Sequence, residues 1–309
     1  DGLGIHALHV RSPHPDALPL VLTHGWPGSF LEFEDVVGPL ADPSIDGGDP
    51  ADAFHVVCPS LPGYGFSDRP AATGWGIERI AAAWDTVMGR LGYYRYGAAG
   101  SDWGTSVSTL LGARVPERVV GIHLVPPLVA PDPATFDDLT ERERAALDDL
   151  ARSERWESGY ALQQATRPQT LGYALADSPV GQCAWIVEKL RAWSDNDGRP
   201  EDAIARDRIL DLVTLYWLTG TATSSARLYR ESFATVQGWF TVDVPDVVDV
   251  PTGCSIFPKE MPRPSRRWAE RRFPDIRHWH ELDRGGHFAA LEQPAVFVDE
   301  LRSFFRLVR

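Results

Sequence analysis

The chain has 309 residues, of which 43% are hydrophobic and 24% charged, which fits one large domain or a core domain with an insertion. Its net charge of −13 argues against nucleic acid and anionic membranes as partners, because both select basic surfaces. Cys58, Cys183 and Cys254 lack metal-site spacing and no apolar run reaches about 18 residues, so we expect reduced thiols, no metal, no transmembrane span and a cytoplasmic location.

Strand and helix patterns alternate through the first part of the chain. Short apolar or alternating runs predict strands at 4–10, 18–23, 54–58, 93–99 and 118–125. Apolar residues at helical spacing predict helices at 30–37, at 77–91 and from residue 106. Such alternation is typical of a mostly parallel sheet with helices on both faces, so we predict an α/β fold.

The alternation stops near Pro127. Residues 132–238 read as amphipathic helices, one of which begins at Ser178-Pro179 with a capping serine and a proline in its first turn. Strand patterns return at Val250 and at 276–282, and a terminal helix is predicted at 290–307. We therefore predict a core of residues 1–127 and 239–309 with a helical cap of residues 128–238. Because Asp1 already lies in a strand pattern, we also expect an N-terminal segment ahead of it.

The stretch Gly100-Ser101-Asp102-Trp103-Gly104-Thr105 joins a predicted strand to a predicted helix. Small residues around an exposed central side chain, at a strand-to-helix turn, form the nucleophile elbow of α/β-hydrolases. The central side chain here is the Asp102 carboxylate. A carboxylate nucleophile forms an ester with an electrophilic sp³ carbon, and epoxides and alkyl halides are the two common substrates of that kind.

Hydrolysis of such an ester requires a general base, which in this fold is a histidine late in the chain. His287 lies in a Gly-rich loop between the last predicted strand and the last predicted helix, so we predict that it is the base. His278 and His280 lie in the preceding strand pattern and are interpreted as structural.

An acid should orient the histidine ring and stabilise its protonated form. Glu260 follows the strand pattern at 250 and has the expected position. Asp243, Asp246 and Asp249 precede that strand, and Glu270 lies further along a predicted helix, so these four fit less well.

Two backbone N–H groups are expected to hold the oxyanion that forms on the aspartyl ester. The residue after the nucleophile, Trp103, supplies one of them. Trp26 supplies the other, because its loop follows the apolar strand that ends at Thr23. The other interpretation of the Trp26 loop is a plain tight turn.

Several motifs spread over almost the whole chain resemble one family. They are HGWPGS at 24–29, PGYGFS at 62–67, GSDWG at 100–104, RGGHFAA at 284–290, ESGY at 157–160 with DSPVG at 177–181, and YWLTGT at 216–221 with RLYRE at 227–231. With these motifs the chain resembles the epoxide hydrolases of the α/β-hydrolase fold, specifically the microsomal-type branch and its bacterial relatives.

The resemblance implies that two cap tyrosines, Tyr160 and Tyr229, donate hydrogen bonds to the epoxide oxygen and protonate it as the ring opens. It places Glu260 as the acid, in agreement with the position of that residue in the chain. It also implies an N-terminal segment that wraps around the core. The activity implied is hydrolysis of an epoxide to a vicinal diol, with water and a small-molecule epoxide as the reactants and no cofactor.

Two other functions stay open at this stage. A haloalkane dehalogenase shares the fold and the Asp-Trp elbow, although Trp26 stands where such enzymes often have asparagine, and two cap tyrosines suit an epoxide better. A non-catalytic protein could use a Trp-rich pocket to bind an apolar ligand, but it would have no need of a nucleophile, a base and an acid together. The epoxide is expected to be apolar and bulky or aromatic, and a homodimer is possible.

Overall fold

The computed structural model describes residues 2–241 and 246–309; Asp243, one of the alternative acids, lies outside them. Its sheet has the strand order β1-β3-β2-β4-β5-β6-β7. The strands are β1 (Ala7–Val10), β2 (Leu18–Thr23), β3 (Phe54–Pro59), β4 (Tyr96–Ser101), β5 (Val119–Val125), β6 (Thr252–Ile256) and β7 (Ile276–Glu281). All neighbouring pairs are parallel except β1 with β3, which confirms the predicted mostly parallel sheet.

Helices cover both faces of the sheet. Those of the core are α1 (Glu34–Ala41), α2 (Ile77–Arg90), α3 (Trp103–Arg114), α10 (Arg266–Ala269), α11 (Ala289–Glu292) and α12 (Pro294–Phe305). Successive strand residues point to opposite faces, so Val21 packs in the cluster that contains α2 and α3, whereas Leu20 and Leu22 pack in the cluster that contains α1 and α12. The α/β fold is thus confirmed.

The central strand β4 is built from small residues because helices approach it closely. A Cβ atom on Gly97 would lie 2.3 Å from the ring of Phe305 in α12. All six residues of β4 are buried, so the segment that leads into Asp102 is held from both faces. A rigid strand fixes the position of the turn that follows it.

Some predicted boundaries are wrong. The helix predicted at 290–307 is two helices, α11 and α12, separated by Gln293 in a non-helical conformation. The residue before a proline is disfavoured in the helical region, and Pro294 then starts a new helix. The strand predicted from Tyr93 begins at Tyr96. The strand predicted at 4–10 pairs only from Ala7, where it runs antiparallel to β3.

Between β5 and β6 the chain is helical, in the segment that we predicted to form the cap. The helices there are α4 (Glu141–Trp156), α5 (Gly159–Thr166), α6 (Pro168–Asp177), α7 (Pro179–Trp193), α8 (Arg206–Thr219) and α9 (Ala222–Gly238). The start predicted at Ser178 is confirmed, since its hydroxyl accepts a hydrogen bond from the N–H of Gly181 at 3.0 Å. No helix within residues 2–241 and 246–309 has the length and apolar character needed to cross a membrane.

Candidate active site

Asp102 lies at the sharp turn from β4 into α3. Its backbone has φ 53° and ψ −123°, and among the described residues it is the one non-glycine residue with a positive φ. Glycines make this strained turn possible. A Cβ on Gly100 would lie 2.4 Å from the backbone of Gly104, and one on Gly104 would lie 1.8 Å from the carbonyl oxygen of Thr23. The turn therefore packs directly against the end of β2.

The loop after β2 is fixed by a buried histidine. His24 Nδ1 bonds the carbonyl oxygen of Gly25 at 2.9 Å, and His24 Nε2 accepts a hydrogen bond from the N–H of Leu61 at 3.1 Å. Burial lowers the pKa of His24 to about 4, so the ring is neutral at pH 7. The loop also requires a glycine, because a Cβ on Gly25 would lie 2.2 Å from Asp102 Oδ1.

Both predicted oxyanion donors lie at the Asp102 carboxylate. The N–H of Trp26 donates to Asp102 Oδ1 at 2.8 Å, and a hydrogen bond from the N–H of Trp103 likewise favours the charged carboxylate. Burial nevertheless raises the pKa of Asp102, against the opposing effects of the nearby His287 charge and these two N–H groups. One carboxylate oxygen, Oδ1, therefore occupies a donor site, while Oδ2 faces His287.

His287 lies between two carboxylates. Its Nε2 is 3.6 Å from Asp102 Oδ2, and its Nδ1 is 2.9 Å from Glu260 Oε1. Burial disfavours the imidazolium, but the charge and hydrogen bond of Glu260 and the charge of Asp102 outweigh it and raise the pKa of His287 to about 9. The geometry is that of a nucleophile, a base and an orienting acid.

The structure places only Glu260, of the described alternative acids, at this ring. Its Oε1 also accepts a hydrogen bond from the N–H of Met261 at 2.7 Å, which holds the carboxylate in place. Asp246 and Asp249 are exposed, and Glu270 is exposed and paired with Arg266.

His278 and His280 have another partner. Their Nε2 and Nδ1 atoms lie 2.8 and 2.6 Å from the two carboxylate oxygens of Glu300. His123 joins this cluster through the hydroxyl of Ser255, and His123, His278 and Glu300 present atoms within 4.8 Å of one another that could hold a metal ion. Hydrogen bonds join the His278 and Glu300 side chains directly, and join His123 to Glu300 through Ser255.

The two cap tyrosines come from different helices and meet above Asp102. Tyr160, at the start of α5, stacks on Trp26 with ring centroids 5.2 Å apart and an interplanar angle of 11°. Tyr229 of α9 contacts the ring of Trp103 edge to face at 4.8 Å. The rings of Tyr160 and Tyr229 meet edge to face with their centroids 5.8 Å apart, and burial followed by the Asp102 charge raises the pKa of Tyr160. Tyr160 therefore stays protonated near pH 7 and can donate a hydrogen bond.

These groups share one cavity of about 210 Å³. It is lined by Asp102, Trp103, Ser106, Pro126, Leu128, Tyr160, Tyr229, Phe233, Val236, Phe240, Glu260, Met261, Pro262 and His287. A larger surface cavity of about 620 Å³ lies beside His14 and Arg309 and is lined by none of the predicted site residues. The smaller cavity is the candidate site, because the reactive groups converge there.

Three residues at this site were not singled out from the sequence. Glu32 is buried, and burial together with the Asp102 charge raises its pKa to about 8 against the lowering effect of His287. The carbonyl oxygen of Trp193 accepts a hydrogen bond from the backbone N–H of His287 at 2.9 Å, and the Trp193 ring contacts the His287 ring with centroids 5.0 Å apart. Lys189 lies against Tyr160. In the sequence, Glu32 could have been noticed as a charged residue within an apolar run, whereas no local feature distinguishes Trp193.

Fold and site together define an α/β-hydrolase whose elbow carries a carboxylate. A family model described as "alpha/beta hydrolase fold" matches residues 19–243, and one described as "Epoxide hydrolase N terminus" matches residues 1–33. The chain is 52% identical over its whole length to a protein of Stigmatella aurantiaca that carries a provisional epoxide hydrolase name, of which it covers 69%. It is 36% identical to "Epoxide hydrolase 1" of Sus scrofa, of which it covers 73%.

The solved structures agree with the sequence relatives. The epoxide hydrolase of Aspergillus niger superposes with a TM-score of 0.87 at 32% identity, covering 100% of this chain and 77% of that one. The chain belongs to the epoxide hydrolases of the α/β-hydrolase fold.

Proposed function

We propose that the protein hydrolyses an apolar, bulky or aromatic epoxide to a vicinal diol through a covalent ester on Asp102. The observation that supports this most directly is the shared cavity, in which Asp102 and His287 face Tyr160 and Tyr229. A nucleophile on one side of the cavity and two neutral proton donors on the other suit a strained ring whose carbon is attacked while its oxygen takes a proton.

In the first step Asp102 Oδ2 attacks one carbon of the epoxide and the bond from that carbon to the ring oxygen breaks. Oδ1 is engaged by the N–H of Trp26, so Oδ2 is the free nucleophile. The oxygen released as the ring opens accepts a proton from the phenol pair, Tyr160 and Tyr229. The products are a 2-hydroxyalkyl ester on Asp102 and a phenol group to be reprotonated.

Formation of the ester prepares the base for the second step. The Asp102 charge is one of the groups that raise the pKa of His287 to about 9, and esterification removes that charge. The pKa of His287 therefore falls, so the ring can release its proton, which replaces the one that the phenol pair gave to the epoxide oxygen, and can then accept a proton from water.

Water then attacks the carbonyl carbon of the ester and gives its proton to His287 Nε2. Glu260, at Nδ1, stabilises the imidazolium that results. The oxyanion develops on Oδ1, which accepts from the N–H of Trp26, and the N–H of Trp103 is the second donor at this carboxyl group. Collapse of this intermediate breaks the bond to the diol oxygen, which takes the proton from His287. Asp102 is left as the carboxylic acid and passes its proton to His287, which restores the carboxylate and the imidazolium.

The walls of the cavity support the substrate class. Away from the reacting groups the lining is apolar, with Leu128, Phe233, Val236, Phe240 and Met261. Burial of an apolar substituent there contributes about 25 cal/mol for each Å² removed from water. The protein groups used in both steps all belong to this chain, so a homodimer does not enter the mechanism.

One observation favours a second candidate, a haloalkane dehalogenase. The indole Nε1 of Trp103 is buried beside the nucleophile and has no hydrogen-bond partner within the described part of the chain. An N–H donor at that place would suit a leaving halide. The two phenols would have no proton to transfer in that reaction, which is why we favour the epoxide.

The test uses His287→Ala, which should form the ester but fail to hydrolyse it. The intact mass of the variant is measured after mixing with an aryl epoxide and, separately, with a haloalkane. An adduct equal to the whole epoxide, mapped to Asp102, is the expected result. An alkyl adduct from the haloalkane alone would favour dehalogenation, and no adduct with either would favour a protein that only binds ligands.

Two control variants accompany this test. Asp102→Ala should give no adduct. His280→Ala should turn over without accumulating an ester, because His280 is half exposed and bonded to Glu300.

A further inference from the structure

Lysine is rare in this chain, which has 28 arginines but only two lysines, Lys189 and Lys259. Lys259 is exposed, whereas Lys189, on α7, is 6% exposed. A buried lysine costs free energy unless its charge is paired or otherwise stabilised. Its position therefore calls for a physical reason.

The ammonium group of Lys189 lies over aromatic rings of the active site. Its Nζ is 4.6 Å from the ring centroid of Tyr160 and 5.6 Å from that of Trp193. It pairs with Glu188 at 2.7 Å, and that carboxylate is about half exposed, so solvent screens its charge. The face of an aromatic ring attracts a cation, and a phenolate attracts it more strongly because it carries a full negative charge.

The two phenols of the site are not equivalent. Their rings meet edge to face with centroids 5.8 Å apart, and Tyr160 also stacks on Trp26. Burial raises both pKa values, so neither phenol gives up a proton easily. Tyr160 is the phenol that lies under the ammonium group of Lys189, so it is the one whose negative charge the lysine can stabilise.

We propose that Lys189 is a positioning residue that stabilises negative charge on Tyr160 while Tyr160 gives its proton to the epoxide oxygen. The proposal rests on the proposed function, since it concerns the ring-opening step. A fixed cation next to a group that becomes negative in the transition state lowers the barrier, and in a site shielded from water it needs no reorganisation. The second step places charge on Oδ1 of Asp102 and on His287, so Lys189 should affect it little.

The helix that carries Lys189 also reaches the base. Trp193 lies one turn further along α7, and its carbonyl oxygen accepts the N–H of His287 at 2.9 Å. A structural role for α7 would therefore disturb both steps, whereas the electrostatic role disturbs only the first. The two roles can be separated by measuring ester formation and ester hydrolysis independently.

The experiment compares Lys189→Met, which keeps the length of the side chain, with Lys189→Arg, which keeps its charge. Single-turnover rapid quench with an aryl epoxide, read by intact mass, gives the rates of formation and decay of the Asp102 ester. We expect Lys189→Met to slow ester formation about 10- to 100-fold, which corresponds to about 1.4 to 2.7 kcal/mol in the barrier. Ester hydrolysis should change less than about twofold, and Lys189→Arg should recover most of the lost rate.

The second measurement repeats Lys189→Met in a Tyr160→Phe background. If Lys189 acts through the Tyr160 phenol, Lys189→Met should slow ester formation less than about threefold in this background, because the effects of coupled residues are not additive. Lys189→Gln serves as a second neutral variant if the methionine variant does not fold. Lys259→Met, at the only other lysine of the sequence, is the matched control and should react like the wild type.

Three outcomes would overturn the inference. They are equal slowing of both steps, wild-type ester formation in both neutral variants, and an undiminished effect of Lys189→Met in the Tyr160→Phe background. A wild-type enzyme that forms no ester on Asp102 would instead refute the proposed function, so the two failures are distinguishable.

Discussion

Replacing Glu260 by glutamine removes one charge from the catalytic groups and preserves the shape of the side chain. The carboxylate lies 2.9 Å from His287 Nδ1, and glutamine can still accept a hydrogen bond from that nitrogen. The variant therefore isolates the electrostatic contribution of Glu260 from its role in orienting the ring. We expect a slower ester hydrolysis whose dependence on pH moves to lower pH.

The magnitude follows from the pKa of His287. That pKa is raised from 6.5 to about 9, about 3 kcal/mol in favour of the imidazolium, although burial opposes the shift. Glu260 contributes most to the increase, ahead of Asp102 and Glu32. Assigning about half of it to Glu260 gives a pKa lowered by about one to two units in the variant. Hydrolysis, whose transition state develops the imidazolium, should slow about 10- to 100-fold.

The effect of Glu260→Gln on the free energy of unfolding should depend on pH. Because the folded-state pKa is raised, His287 contributes stability that is fully present below pH 6.5 and is lost as the pH rises through about 9. The difference in free energy of unfolding between wild type and Glu260→Gln should therefore be largest below pH 6.5 and shrink toward pH 9. Urea unfolding at several pH values measures it.

The kinetic assay follows the decay of the Asp102 ester in single turnovers from pH 5 to 10, about the range in which histidine and its partners titrate. The pH at which the decay rate falls off on the acid side should be lower by about one to two units, and the maximum rate at higher pH should also be lower. Ester formation should change less than about threefold, since it does not need the base. Glu270→Gln, at an exposed carboxyl group paired with Arg266, is the control. Decay at the wild-type rate with the wild-type pH limb would refute the role of Glu260.

Two further predictions concern the groups around the nucleophile. Tyr229→Phe should slow ester formation about 10- to 100-fold and leave hydrolysis unchanged, because only the first step needs the proton donors, and equal slowing of both steps in rapid quench would contradict this. Gly25→Ala should lower kcat at least about 100-fold, because the new Cβ would lie 2.2 Å from Asp102 Oδ1 and would displace it. The control is Gly38→Ala, whose Cβ meets nothing within 4 Å, and kcat of both variants is measured in the steady state. Similar kcat values of the two alanine variants would refute the steric argument.

The elbow could be predicted from the sequence because its requirements are local. A turn with a strained central residue needs small neighbours, and Gly100 and Gly104 meet that requirement within a few residues of Asp102. The alternating strand and helix patterns predicted the class of fold for the same reason. They could not predict that the first strand pairs antiparallel with β3, because pairing depends on which chain segments meet.

Tertiary structure decided which distant side chains meet at the nucleophile. Local patterns carry no distances between remote segments. The position of Glu260 in the chain predicted it as the acid, and the structure supplies its distance from His287 Nδ1. The cap tyrosines came only from a family resemblance, since a buried tyrosine looks the same in sequence whether or not it faces a cavity. In the sequence, Lys189 is only a lysine on a predicted helix. Its position over Tyr160 follows from the packing of α7 on α5. The sequence by itself predicted the elbow carboxylate and the chemistry that suits it. The packing of the core brought His287, Glu260 and Trp26 together around it, and the packing of the cap on the core added Tyr160, Tyr229 and Lys189, because these contacts join residues far apart in the chain.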